Sequence, residues 1–189
     1  DIRPSRGLGD VYKRQGELNV LSLKQNGRAL DISQRETILL AKLNKPLLPG
    51  EKTTLDMRFE GQVPKQIRRS GKMSEEGVHL TMTQWFPKLC EYDSEGWHPN
   101  PYIAREFHGV WGNYMVDITI DKNYVVGGTG YLMNADEIGH GYAEKTKSKN
   151  KETLTWRFYA PNVHDFAWAA DPEYTVSYTH LTLPTNDQV

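Results

Sequence analysis

The stretch YMVDITID, residues 114–121, sets Tyr114, Val116, Ile118 and Ile120 on one face of an extended chain and Met115, Asp117, Thr119 and Asp121 on the other. That period of two is the signature of a strand with one buried face. TLTWRFYA (153–160) repeats it with Leu154, Trp156 and Phe158, and TLDMRFE (54–60) with Leu55, Met57 and Phe59. Between such runs lie KPLLPGEK, DSEG, DKN, GGTG and APN, which supply the Gly, Pro, Asn and Asp that tight reversals need. Short alternating strands with frequent turns predict an all-β fold, an antiparallel sandwich or a close relative of one. ALDISQRETILLAKL (29–43) is the best helical candidate, with Ile38, Leu39, Leu40 and Leu43 on one side. The Asn44-Lys45-Pro46 that follows and the match to a strand–turn–strand pattern favour strands there too.

The chain has 189 residues, 38% of them hydrophobic and 25% charged, enough for one domain-sized core. A formal charge of −1 gives no electrostatic case for binding nucleic acid or an anionic membrane surface. No apolar run approaches the roughly 18 residues of a membrane-spanning helix. The single cysteine, Cys90, rules out an internal disulfide framework and leaves the redox compartment open. The two ends read differently from the middle. DIRPSRGLGDVYKRQ (1–15) and VSYTHLTLPTNDQV (176–189) resemble translated sequencing-adaptor read-through at the edges of gene models from environmental DNA, although VSYTHLTL also alternates as a strand does. The expected domain is therefore residues 16–175, flanked by two loose tails.

Four constellations are candidates for chemistry. GGTG (127–130) superficially resembles a phosphate loop, but a dinucleotide fingerprint needs a third glycine where Met133 stands, so the glycines read as part of a strand pair. His79, His98, His108, His140 and His164 show no H-E-x-x-H, C-x-x-C or H-x-H spacing, and a metal set assembled from His98, Cys90 and Glu91 has no motif behind it. QIRRSGK (66–72) concentrates three positive charges and reads as a solvated turn rather than an anion site. Tryptophans 85, 97, 111, 156 and 168 could form a sugar-stacking platform, but Trp156 is in register with Leu154 and Phe158, and Trp168 with Phe166 and Ala170, which assigns these two to the core.

GVHLTMTQW (77–85) alternates as a strand and then gives way to FPKLCEYDSEGWHPNPY, a long aromatic-rich loop around a DSEG turn. Long ordered loops commonly carry function. The segments KPLLPGEKTTLDMRFEGQVP, TQWFPKLCEYDSEGWHPNPY, VDITIDKNYVVGGTGYL and YAPNVHDFAWAADPEY, in this order, resemble the N-terminal domain of the M1 family of zinc aminopeptidases, particularly its Bacteroidetes-like bacterial branch. The resemblance spans roughly residues 16–175.

It implies a saddle-shaped antiparallel β-sandwich, incomplete at both ends, that leads into a separate thermolysin-like catalytic domain of the same chain. That missing domain would hold the zinc; this chain would hold no cofactor. The family's H-E-x-x-H and G-x-M-E-N motifs are absent from these residues, so no catalytic residue is assigned and the chain by itself is expected to be inert. What the domain would contribute is a substrate-binding glutamine, or a nearby acidic residue, reaching the pocket for the peptide's free amine. Gln84 stands at the matching place, although the Q-x-E pattern of many members is broken by Phe86. A glutamine that merely satisfies loop backbone is the competing reading. Family resemblance points to a periplasmic or secreted parent; the residues themselves leave the compartment unknown. The alternative function is a carbohydrate-binding or adhesive β-sandwich module that uses Trp85, Trp97 and Tyr102 as exposed rings.

Overall fold

The structure, a computed structural model, describes residues 16–66, 69–100, 108–143 and 152–177. The strands are β1 (Glu17–Gln25), β2 (Arg28–Ala29), β3 (Asp31–Arg35), β4 (Ile38–Lys42), β5 (Leu55–Gln62), β6 (Gly71–Lys72) and β7 (Leu80–Met82), then β8 (Tyr92–Asp93), β9 (Gly96–Trp97), β10 (Gly112–Asp121), β11 (Val125–Gly128), β12 (Tyr131–Leu132), β13 (Thr153–Val163) and β14 (Trp168–Asp171). One helical turn, Ala135–Ile138, is the only α-helix among the described residues. The fold is all-β and every ladder between named strands is antiparallel, as the alternation predicts. The helical candidate at 29–43 resolves into the hairpin β3–β4, reversed at Glu36 in the left-handed region (φ 53°).

Two sheets share the main core. In the sheet β10-β13-β12 the register sets Ile118 opposite Trp156, Val116 opposite Phe158 and Ile120 opposite Leu154. Facing it, the sheet β11-β14-β7-β6 contributes Val126, Ala170 and Leu80 to the same cluster. Trp156, Phe166, Val126, Ala160 and Ala170 are each 0% exposed. Trp156 is thus core, as its register with Leu154 and Phe158 indicates, and Trp168 is half-buried beside Phe166 and Ala170. Asn134 explains how a polar residue tolerates this interior: its Nδ2 donates to Thr155 O (2.9 Å) and its Oδ1 accepts from Arg157 N (3.0 Å), so it continues the β12 ladder onto β13 with a side chain. Val176, the first residue of the expected C-terminal tail, packs against this core; residues 1–15 and 178–189 lie outside the described residues.

The third sheet, β2-β1-β5, stands on separate buried residues, Leu23 and Leu30. A bulge between Val20 and Ser22 inserts Leu21, so that Leu18 and Val20, of even number, face the same way as Leu23. Their partners across the ladder are Gly61, Phe59 and Met57, which keeps Phe59 and Met57 on one face as expected. β10 and β5 each have a ladder partner on one side only among the described residues.

Candidate functional site

The strand that delivers Gln84 is shorter than its alternation suggests. Pairing of β7 covers Leu80–Met82, and Val78 and His79 instead accept hydrogen bonds from Ser74 and Met73 in a tight turn. Beyond Thr83 the chain turns at Gln84, whose φ of 51° is left-handed. A residue with a Cβ loses roughly 1–2 kcal/mol in that region, and only Gly and to some degree Asn or Asp visit it freely. The turn also breaks strand parity: Leu80 packs on the core, and after the kink it is Trp85 that does so. Gln84 is half-buried, and among the described residues its amide has no hydrogen-bond partner. It bonds to no backbone group among the described residues.

What fixes the kink lies on either side of it. Before it, Ser70 Oγ donates to Thr83 O (2.7 Å) and accepts from Thr83 N (3.0 Å). After it, Trp85 Nε1 donates to Phe166 O at 3.0 Å, and its ring meets those of Phe86 and Trp168 edge-on. Phe86 contacts Tyr114, which stacks on Phe166 at 27°. Lys88 Nζ lies 2.6 Å from Asp165 Oδ2, with the two side chains 19% and 24% exposed, and passes 5.5 Å from the centre of the Phe86 ring. A pair this shielded holds its geometry better than a surface pair, because loss of either partner strands the other charge. Burial, with the Asp165 charge in second place, pushes the Tyr114 hydroxyl above its ordinary pKa. Two segments far apart in sequence, TQWFPK and VHDFAW, are thereby clamped together just after Gln84.

An open trough of about 490 Å³ runs beside the kink, lined by Arg69, Thr81, Met82, Thr83, Gly127, Gly128, Thr129, Ala167, Trp168 and Ala169. GGTG thus forms the end of β11 and the turn into β12, as its reading as a strand pair requires. Of QIRRSGK, Ile67 and Arg68 lie outside the described residues; Arg69 is exposed at the trough and Lys72 sits in β6.

The histidines are dispersed. His79 Nδ1 is 3.2 Å from the Tyr124 hydroxyl, His140 Nε2 donates to Lys122 O (2.8 Å), and His164 meets Trp111 edge-on. His98 Nε2 is 2.9 Å from Asp93 Oδ1, and His108 Nδ1 is 3.8 Å from Glu91 Oε2. Among the described residues no three of His, Cys, Asp and Glu come together in a group able to hold a metal ion. No helix of the described residues is long and apolar enough to cross a membrane. Cys90 is a free, half-buried thiol.

The Asp93 contact raises His98 above its ordinary pKa of 6.5, against a smaller opposing effect of burial. The same contact, ahead of the backbone N–H of Glu95, lowers Asp93 below 3.8. The histidine's contribution to stability is complete below pH 6.5 and fades as pH rises through its raised pKa; the aspartate's is complete above 3.8 and fades as pH falls through its lowered one. An NMR titration should place the His98 midpoint above 6.5, and Asp93→Asn should bring it down. An unmoved midpoint would mean that the contact is not made in solution.

Of the rings proposed as a sugar platform, Trp85 is turned into the core rim and Tyr102 lies outside the described residues. Trp97 is exposed and pairs with Tyr92 at an interplanar angle of 56°, so these two rings share no plane. Neither the Lys88–Asp165 clamp nor the left-handed turn is legible from the sequence, because neither carries a local pattern. Compared with models of known families, with curated proteins and with solved structures, the chain finds no match.

Proposed function

We propose that this chain is the non-catalytic N-terminal domain of an M1-like zinc aminopeptidase, whose parent removes N-terminal residues from peptides. Four quoted segments in family order support the reading, and so does the all-β antiparallel architecture. The observation that carries it furthest is Gln84. It occupies a backbone position where glycine would be less strained, and among the described residues its amide has no partner at the exit of β7. Such an amide is available to accept a hydrogen bond from a ligand. A peptide's free ammonium is a fitting donor, and a neutral acceptor binds it without adding another desolvated carboxylate.

The zinc and the activated water belong to the domain that would follow this one. The chain's own residues would contribute one wall of the amine pocket, with Lys88–Asp165 and Trp85 holding Gln84 in place. By itself the chain should hydrolyse no unblocked aminoacyl anilide, with or without added zinc. In the enzyme containing both domains, Gln84→Ala should lower kcat/KM for unblocked peptides roughly 10- to 150-fold, the value of one hydrogen bond to a charged group. Zinc content should not change. Gln84→Gly relaxes the backbone while removing the amide, so it should lose the same activity without loss of melting temperature. Full activity in both variants would make Gln84 a structural residue and leave the loop as scaffold.

A further inference from the structure

The hairpin β8–β9 takes no part in the packing around Gln84. Its two cross-strand partners, Tyr92 and Trp97, stand with ring centroids 4.8 Å apart, yet they are 65% and 56% exposed. A cross-strand aromatic pair contributes roughly 0.2–1 kcal/mol, a small return for two large rings left mostly in water. Aromatic rings held together on a short, ordered hairpin have the composition of an interface centre.

The surroundings determine what could sit on them. Glu91, Asp93 and Glu95 belong to the same hairpin and are all exposed, Glu91 and Asp93 on the face opposite Tyr92, and the sequence has no Lys or Arg between Lys88 and Arg105. His98 engages Asp93 and His108 approaches Glu91 only to 3.8 Å, while Glu95 has no side-chain partner among the described residues. An aromatic face is electrostatically negative and attracts ammonium and guanidinium groups, and neighbouring carboxylates add to that attraction. The 56° tilt between the rings suits a compact cation lodged against them better than a flat pyranose laid across both.

We propose that the β8–β9 hairpin is a docking site for a basic peptide segment, with a Lys or Arg side chain seated against Trp97 and Tyr92 and steered by Glu91 and Glu95. This does not depend on the chain's parentage. The test is calorimetric titration of the intact chain with tetralysine amide at low salt. Wild type should bind, and binding should weaken as salt rises. Trp97→Ala should weaken it about fivefold, the value of an exposed cation–π contact. The double variant Glu91→Gln/Glu95→Gln should weaken it as well, which reads the charge contribution even if the Trp97 variant folds poorly. Tyr131→Ala, another exposed ring on a different sheet, should leave binding unchanged.

The same peptide with acetylated lysines should not bind. Absence of binding by wild type, indifference to both variants, or equal binding of the acetylated peptide would each overturn the proposal. So would an oligosaccharide that binds through Trp97 where tetralysine does not.

Discussion

Trp156→Ala should remove most of the chain's stability, lowering the free energy of unfolding by about 3–5 kcal/mol. Trp156 is 0% exposed at the centre of β13, set opposite Ile118, with Tyr142 edge-on at 5.6 Å and His140 stacked at 6.0 Å. The surrounding strands are tied into ladders and cannot collapse into the space, so the full cavity cost applies. Domains of this size have about 5–15 kcal/mol in total. Trp156→Phe should cost much less, because the indole Nε1–H is buried with no hydrogen-bond partner among the described residues and its removal relieves an unmet donor. Urea unfolding measures both. Equal midpoints for wild type and Trp156→Ala would place the core elsewhere.

Gly130→Ala is expected to be the next most damaging change. The residue has φ 87°, and a Cβ there would lie 2.7 Å from Ala160 Cα and in hard contact with Tyr159 O, both on the neighbouring strand β13. Backbone cannot swing aside as a flexible side chain can, so left-handed strain and overpacking combine to about 2–5 kcal/mol. Gly127→Ala, three residues earlier in the same GGTG segment, is the internal control: a Cβ there meets nothing within 4 Å. It should change stability by less than about 1 kcal/mol. Comparable losses from both substitutions would mean that the β11–β12 turn is not built as described.

The strands that bury one face were legible because their period is written in the side chains. Tyr114 to Ile120 and Leu154 to Phe158 alternate without interruption, and the structure uses both faces as the alternation indicates. Elsewhere the period was broken by backbone features that side-chain chemistry does not announce. The bulge at Leu21 moves Leu23 onto the face of Leu18 and Val20, so counting by twos fails across it. The turn at Gln84 does the same, and Trp85 reaches the core although its number has the wrong parity.

Partnership was less legible still. That β13 lies between β10 and β12, and that Lys88 finds Asp165, are long-range facts set by loop closure and packing rather than by local pattern. Gln84 itself came from resemblance, not from periodicity. Its left-handed backbone, and an amide without a partner among the described residues, are what the three-dimensional arrangement adds.

The proposal that this domain serves a zinc aminopeptidase is tested most directly by reading the coding sequence downstream of this domain in its source DNA. A G-x-M-E-N segment followed by H-E-x-x-H with a downstream glutamate is expected within a few hundred codons. A frame that closes at once, or that continues into a domain with neither motif, would contradict it.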